Sequence, residues 1–260
     1  MRVPTQVLVC LLVLAAVPAV PAAAQGDASG PLTMISHFKA PPGDAFPDWV
    51  RTMYGATLEG LVEDGKVLAW GITMPLFHHD METTHSIYMS VPDWASLAAA
   101  FDAFEEREGT LSAEERAAMG ELFSKMDMST HRDELVQHVR FALGGEGTPA
   151  EKYFDIGYHT AHPGKGPQAM TLYDRLIKPV YERLLADGVI TGYGAFVPVE
   201  HSGGGWTHGG WVGLADLAKM DAVHAAFDEA EASWTPEDGQ MVMETFDASA
   251  HYDLLLQVLD

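Results

Sequence analysis

The sequence predicts an α+β protein of two tandem ferredoxin-like β-α-β-β-α-β repeats that pack sheet to sheet as a pseudo-twofold α/β barrel. A shift of 123 residues places Asp64-Gly65 on Asp187-Gly188 and Thr84-His85 on Thr207-His208 without a gap. Each copy also carries an apolar stripe at helical spacing, with strand-like segments before and after it. A Gly-rich segment, 144–151, separates the two copies and predicts a linker.

The first helix of each copy is predicted from apolar residues that recur every three or four positions. These stripes cover 50–62 in the first copy and 173–185 in the second. An apolar face of this kind indicates a helix that packs against a core. Asp-Gly pairs at 64–65 and 187–188 follow the stripes, and glycine readily adopts the left-handed conformation that ends a helix.

Strand-like segments flank these helices in both copies. In the first copy the predicted strands cover 32–39, 66–76, 85–91 and 131–142. In the second copy they cover 152–160, 189–199, 208–214 and 251–259. A second helix is expected after Asp93 and Asp216. A shorter helix is expected after Ser112 and Thr235, because each is followed three positions later by an acidic residue that completes a capping box.

The first 24 residues are typical of a secretory signal peptide. Arg2 precedes an apolar run over 7–16, and three alanines follow at 22–24. The run is too short for a membrane span, which needs about 20 apolar residues. We therefore expect cleavage near Ala24 and an exported protein, periplasmic or secreted, without a membrane anchor. The predicted units are the signal peptide 1–24, the first repeat 25–143, the linker 144–151 and the second repeat 152–260.

Composition excludes several classes of function. The 260 residues carry a formal net charge of −22, which makes nucleic acids and anionic membranes poor partners. The single cysteine, Cys10, lies within the predicted signal peptide. After cleavage the chain can form no disulfide, and thiol nucleophiles, iron-sulfur clusters and zinc ribbons are excluded.

Tandem ferredoxin-like units of this size resemble the dimeric α/β barrel superfamily in its fused, single-chain form. The resemblance rests on the repeat and the element order and covers nearly the whole mature chain. That superfamily includes cofactor-free monooxygenases, lactone isomerases, haem-degrading oxygenases and chlorite dismutase-like haem proteins. The resemblance implies a small-molecule ligand, held inside the barrel or between sheet and helices, and a monomer with internal pseudo-symmetry or a homo-oligomer.

Three repeated histidines of the first copy are candidate metal ligands. His78 and His85 flank a hairpin loop, and His131 begins the last strand at the same sheet edge. Zinc is the first choice for neutral imidazoles and copper the second. Asp133 lies on the same strand face as His131 and could orient it. The alternative is that these are strand-end histidines retained for packing or hydrogen bonding.

The second copy offers candidate catalytic residues at the equivalent edge. His208, His251 and Asp253 repeat the set of the first copy, and His159 occupies the place of Phe38. This asymmetry favours a substrate base, or less strongly a haem ligand, in the second copy. No residue is identified as a proximal haem ligand.

Two aromatic residues predict either a ligand cavity or ordinary packing between the sheets. Tyr88 and Trp211 alternate with small residues along their strands, which leaves room beside a flat ring. The function expected from the sequence is therefore an exported small-molecule enzyme or ligand-binding protein with a histidine-lined sheet edge. The alternatives are an exported histidine-site metal-binding protein and a non-catalytic binding protein whose barrel is filled by side chains.

Overall fold

The computed structural model describes residues 30–77, 83–199 and 205–259. Its centre is a closed antiparallel barrel in the order β1-β3-β2-β8-β5-β7-β6-β4. The eight strands are β1 Leu32–Phe38, β2 Ala69–Pro75, β3 His85–Val91, β4 Arg132–Leu143, β5 Tyr153–His159, β6 Gly192–Pro198, β7 His208–Leu214 and β8 Tyr252–Leu259. One chain therefore supplies all eight strands of the closed barrel, and each of them is paired on both sides.

The two halves of the chain each contribute four neighbouring strands. In the first half the order is β4-β1-β3-β2, and in the second half it is β8-β5-β7-β6. Antiparallel pairs β2–β8 and β4–β6 join the two sheets at their edges. The sheets thus face each other across the interior and also hydrogen-bond along both seams.

Strand direction sorts the barrel into two ends. Because every pair is antiparallel, β1, β2, β5 and β6 run one way and the other four strands run back. We call the end where β1 and β5 begin the lower end, and the end where β3 and β7 begin the upper end. Equivalent positions of the two halves therefore lie at the same end.

The helices cover the outside of the barrel. They are α1 Ala45–Val50, α2 Ala56–Glu63, α3 Trp94–Gly109, α4 Ala113–Phe123, α5 Gly166–Leu172, α6 Lys178–Ala186, α7 Met220–Ala232 and α8 Pro236–Thr245. A π-helical turn, Arg51–Gly55, joins α1 to α2, and Tyr173–Ile177 joins α5 to α6 in the same way. Each predicted first helix is therefore one continuous rod with a widened turn in the middle. No helix in the described ranges is long and apolar enough to cross a membrane.

The predicted helix ends agree with the structure at most positions. Gly65 and Gly188 adopt positive φ angles of 68° and 64° directly after α2 and α6. The capping boxes at Ser112 and Thr235 are both formed. Asp216 differs from expectation, because it caps a 3₁₀ turn, Leu217–Lys219, and α7 begins only after that turn.

Alternation along the strands divides the core into an outer and an inner layer. On β1, Leu32 and Met34 pack against the helices, whereas Thr33 and Ile35 line the interior. This period of two follows from the pleat of a β-strand. Residues of the outer layer pack the helices against the sheets. Residues of the inner layer determine how much space the barrel interior leaves for a ligand.

Candidate functional site

The first-half histidines lie on the outer face of the sheet at the upper end. His85 pairs with Phe38 across β1 and β3. The His131 ring stacks on the other side of Phe38, with centroids 4.6 Å apart. Phe38 therefore lies between the two histidines, because β1 lies between β4 and β3 in the barrel. His78, the third predicted metal ligand, lies outside the described residues.

The second half places three histidines in the equivalent row. His159 pairs with His208 across β5 and β7 and stacks on His251, with centroids 4.5 Å apart and planes 7° apart. The Nε2 atom of His251 lies 3.0 Å from Oδ1 of Asp253. The structure thus brings His159, His251 and Asp253 together, and it places His208 on the far side of His159.

His85 and His208 share one local arrangement with the threonine that precedes them. The Nδ1 atoms of these histidines lie 2.9 and 2.8 Å from Oγ1 of Thr84 and Thr207. The same threonine oxygens accept hydrogen bonds from the backbone N–H groups of Ala40 and Ala161, at 2.9 and 2.7 Å. The threonine of each repeated Thr-His pair therefore holds the chain that follows β1 or β5 close to the start of β3 or β7.

Gly157 leaves a small space that three polar atoms border. A Cβ atom at this glycine would lie 3.0 Å from Asp253 Oδ1, 3.3 Å from His159 Nε2 and 3.8 Å from His251 Nε2. In the first half the equivalent position is Ser36, whose hydroxyl donates a 2.6 Å hydrogen bond to Asp133. The second-half group is thus open where the first-half group is filled.

The two groups also differ in solvent exposure, and the second-half group is the more exposed. The side chains of His131 and Asp133 are 10% and 34% exposed, whereas those of His251 and Asp253 are 41% and 60% exposed. A soluble reactant has access to the second-half group and little access to the first. The replacement of Phe38 by His159 is visible in the sequence, but the difference in solvent exposure is seen only in the structure.

Burial and neighbouring charges set the protonation states in this group. Burial, together with the nearby His251, lowers the pKa of His159 to about 4. Burial and the nearby Asp253 carboxylate raise the pKa of Asp155, on the same face of β5, to about 6. In the first half, a hydrogen bond to Asp133 raises the pKa of His131. The second half therefore holds a neutral imidazole at His159 and, further along the same face of β5, a carboxyl group of raised pKa at Asp155.

The described residues contain no group of three or more histidine, aspartate or glutamate side chains placed to hold a metal ion. His85 and His131 are kept apart by Phe38, and the rings of His159 and His251 lie parallel. Two stacked imidazoles point their lone pairs along separate parallel planes, so they cannot share one ion without rotating.

The interior of the barrel contains a cavity of about 240 Å³ toward the lower end. It is lined mainly by apolar and aromatic side chains from all eight strands, and it reaches solvent beside Leu68, Phe141 and Leu143, which are about half exposed. A barrel filled entirely by side chains, one of the alternatives from the sequence, does not describe this end of the protein. Both Tyr88 and Trp211 line the cavity, as expected for a ligand site.

Two glycines explain how the aromatic walls of the cavity are built. Gly71 pairs with Tyr88 and Gly194 pairs with Trp211 on neighbouring strands. A Cβ atom would lie 2.8 Å from the Tyr88 ring at Gly71 and 2.3 Å from the Trp211 indole nitrogen at Gly194. Each ring therefore lies across a glycine and along the wall, so the centre of the barrel stays open. Phe154 contacts both rings edge-on, at 5.7 and 5.8 Å.

A chain of hydrogen bonds crosses one wall of the cavity. The Trp211 indole N–H donates to His138 Nδ1 at 3.3 Å, and His138 Nε2 lies 2.9 Å from Thr33 Oγ1. Thr33 Oγ1 in turn lies 2.7 Å from Ser90 Oγ. Burial lowers the pKa of His138 to about 4, so this imidazole is neutral at physiological pH.

A second polar group lies inside the barrel near the upper end. His37 and Glu134 are 4% and 2% exposed, and their closest nitrogen and oxygen atoms are 3.7 Å apart. His37 Nδ1 lies 2.9 Å from Ser86 Oγ, whereas His37 Nε2 and Glu134 Oε2 have no hydrogen-bond partner among the described residues. Buried polar atoms of this kind are rare in folded proteins.

His37, Glu134 and His138 were not predicted from the sequence. His138 has Val258 as its counterpart in the second half, so no repeat marked it. The period of two along β1 could have indicated His37, because it continues the inward-facing positions Thr33 and Ile35. Glu134 gave no signal, since a single acidic residue in a strand normally faces solvent.

No protein-family model matches this sequence, and a search of curated proteins finds no match. Solved structures do match. A candidate monooxygenase from Fusobacterium nucleatum subsp. nucleatum has a TM-score of 0.59 at 11% identity, over 89% of this chain and 94% of that chain. A heme-binding protein from Thermus thermophilus has a TM-score of 0.52 at 12% identity, over 89% and 92% of the two chains.

A mutant chlorite dismutase from Candidatus Nitrospira defluvii gives a TM-score of 0.51 at 11% identity, over 90% of this chain and 93% of that chain. At such low identity these likenesses establish the fold and not the chemistry. The closed eight-stranded barrel and its structural neighbours together show that this chain has the dimeric α/β barrel fold.

Proposed function

We propose that this protein is an exported binding protein for a small, flat and largely apolar molecule, which occupies the barrel cavity. The observation that carries the proposal is the cavity of about 240 Å³ between Tyr88 and Trp211, with an apolar rim at the lower end. Concave, mostly apolar sites with a few polar groups are the usual form of small-molecule sites. The glycines opposite both rings support this interpretation, because they keep the rings against the wall.

The polar wall favours binding over acid–base chemistry inside the cavity. Both ring nitrogens of His138 are hydrogen-bonded, one to Trp211 and one to Thr33, so neither is free to take a proton from a ligand. The same two bonds argue against His138 as an axial haem ligand, because haem iron needs a ligand atom with a free lone pair. We therefore assign no haem-binding role to His138.

Calorimetric titration with 1-naphthol, an uncharged flat probe, tests the proposal. We expect one site per chain in the wild-type protein. Ala69→Trp places an indole at the exposed rim and should abolish binding, whereas Ala225→Trp, on the exposed face of α7, should leave it unchanged. Absence of binding to the wild type, or equal binding to Ala69→Trp, would overturn the proposal.

A second candidate function concerns the outer face of the second half. We infer an acid–base site formed by His159, His251 and Asp253, with His208 as a neighbour fixed by Thr207. The convergence of three polar atoms above Gly157 favours it. A neutral imidazole reacts with diethyl pyrocarbonate, so His159 should be modified at about pH 5, where ordinary histidines are protonated. Peptide mass spectrometry would show this, and an unmodified His159 would contradict the inference.

The proposal also includes export and a tandem origin of the two halves. Residues 1–24 would be removed, leaving 25–143 and 152–260 as two copies of one unit joined by 144–151. The acidic charge of −22 agrees with a protein that avoids nucleic acid and anionic membranes. The intact mass of protein recovered from the periplasm or medium should correspond to a chain that begins at Gln25, and an uncleaved mass would contradict export by this route.

A further inference from the structure

We propose that the barrel cavity selects an uncharged aromatic molecule that carries a hydrogen-bond acceptor, such as an aromatic ketone, and rejects carboxylates. This inference rests on the proposed function, since it specifies the ligand class for the same cavity. It follows from the direction of the hydrogen bonds in the polar wall, the charges around the cavity and its size.

The first member of the hydrogen-bond chain fixes the direction of the first two bonds. An indole N–H can only donate, so Nδ1 of His138 must accept from Trp211. In a neutral imidazole the hydrogen is then on Nε2, which donates to Thr33 Oγ1. We assign the hydrogen of Thr33 to Ser90 Oγ, its partner at 2.7 Å, because this leaves Thr33 with both a donor and an acceptor. With that assignment every proton in the chain points toward Ser90.

Ser90 ends the chain with an unused donor. Its oxygen accepts from Thr33, and no acceptor for its own hydrogen is found in the described part of the chain. Ser90 lines the cavity. A hydroxyl that already accepts a hydrogen bond is a better donor, because neighbouring bonds polarise one another. The cavity therefore offers a donor that a carbonyl or ether oxygen of a ligand can use.

The charges around the cavity disfavour anions. None of the cavity-lining residues in the described ranges is lysine or arginine, and the acidic one is Glu151. Burial and this carboxylate raise the pKa of Tyr88 to about 12, so the phenol stays uncharged. A carboxylate inside the cavity would lose its hydration without gaining a cation, which is strongly unfavourable.

Size limits the ligand to one or two rings. A dry cavity of about 150 Å³ holds benzene in another protein. The 240 Å³ here leaves room for a substituted ring, and the flat walls formed by Tyr88 and Trp211 suit an aromatic ring rather than a bulky aliphatic group.

Three probes of nearly equal size test the inference by calorimetric titration of the full mature protein. Acetophenone carries a carbonyl acceptor, isopropylbenzene has a methyl group in place of that oxygen, and benzoate carries a charge. We expect the ratio of acetophenone to isopropylbenzene affinity to be about tenfold higher in the wild type than in Ser90→Ala, the fold-change of one hydrogen bond of ~1.4 kcal/mol. Benzoate should bind at least about tenfold more weakly than acetophenone.

Ser90→Ala should remove the advantage of acetophenone and leave isopropylbenzene binding unchanged. Ser124→Ala, at the end of α4 and far from the cavity, is the matched control and should change neither. Circular dichroism of both variants would show that they fold.

The outcomes separate this inference from the proposed function. If the uncharged probes bind but benzoate binds equally well, or if Ser90→Ala leaves the preference for acetophenone intact, the inference is overturned and the proposed function stands. If none of the three probes nor 1-naphthol binds the wild type, the proposed function fails and the inference falls with it.

Discussion

The imidazole rings of His159 and His251 stack 4.5 Å apart and only 7° from parallel on the outer face of the second-half sheet. The equivalent pair in the first half is Phe38 and His131, also stacked, at 4.6 Å. The same backbone position therefore holds an apolar ring in one half and a titratable ring in the other. This difference has a measurable consequence for stability.

We predict that His159 makes the protein less stable in acid. Its pKa is about 4 in the folded protein and near 6.5 when unfolded, so the unfolded chain binds more protons between these values. The stabilisation is therefore complete above about pH 6.5 and is lost as pH falls toward 4. His159→Phe should remove about 1 kcal/mol of this loss, allowing for partial solvent screening.

Urea unfolding at a series of pH values measures this effect. The control is Ala225→Phe, which adds the same ring at an exposed position of α7 that carries no titratable group. It should leave the pH dependence as in the wild type. A pH profile that His159→Phe does not flatten would show that the His159 ring titrates normally.

We predict that Asp155→Asn stabilises the protein at neutral pH. The pKa of Asp155 is raised to about 6, so burying its charge beside Asp253 costs free energy above that pH. A raised carboxyl pKa means stability that is present at acid pH and lost as pH rises through 6. The amide should add about 1 kcal/mol at pH 7, and the gain should shrink as pH falls below 6 and vanish below about pH 4, where the carboxyl group is protonated in both states.

Denaturant titrations of Asp155→Asn at both pH values test this, with the exposed Asp228→Asn as a control that should show no such dependence. Equal stability of Asp155→Asn and wild type at neutral pH would indicate that the Asp155 carboxylate is well solvated.

We predict that the two glycines under the cavity rings cannot accept a side chain. Gly71→Ala and Gly194→Ala should each cost about 1–3 kcal/mol, because the added methyl group overlaps Tyr88 or Trp211 and pushes the ring off the wall. Gly194→Ala should cost more, since it also breaks the Trp211–His138 hydrogen bond.

Thermal unfolding and tryptophan fluorescence would show both effects, and binding of 1-naphthol should weaken in parallel. Gly60→Ala in helix α2, where a Cβ meets nothing within 4 Å, should instead stabilise by about 0.5–1 kcal/mol. Equal behaviour of the three variants would mean that the rings do not rest on the glycines.

We predict that the repeated Thr-His pairs are structural. Thr84→Val and Thr207→Val should each cost about 1–3 kcal/mol, because the buried N–H of Ala40 or Ala161 loses its acceptor. Thr171→Val, an exposed threonine on α5, is the control and should change stability by less than about 0.5 kcal/mol. Unchanged stability in both threonine variants would show that the Thr-His pairs do not hold the neighbouring chain in place.

The sequence determined much of the fold because its signals are local. Strand segments appear from alternation, helix stripes from a period near four, and the ends of α2 and α6 from Gly65 and Gly188, which need positive φ angles. Gly71 and Gly194 also match each other under the shift of 123 residues. The reason for a glycine at this position is not visible in the sequence, because the rings that rest on these glycines belong to the neighbouring strand.

Only the tertiary structure decided where the chemistry lies. His138 became part of the cavity because β4 and β6 close the barrel and bring Trp211 to it, a contact between residues 73 positions apart. Phe38 separated His85 from His131, and Gly157 opened the space beside His159. Local patterns fix which face of a strand a side chain occupies, whereas closure of the barrel fixes which faces meet.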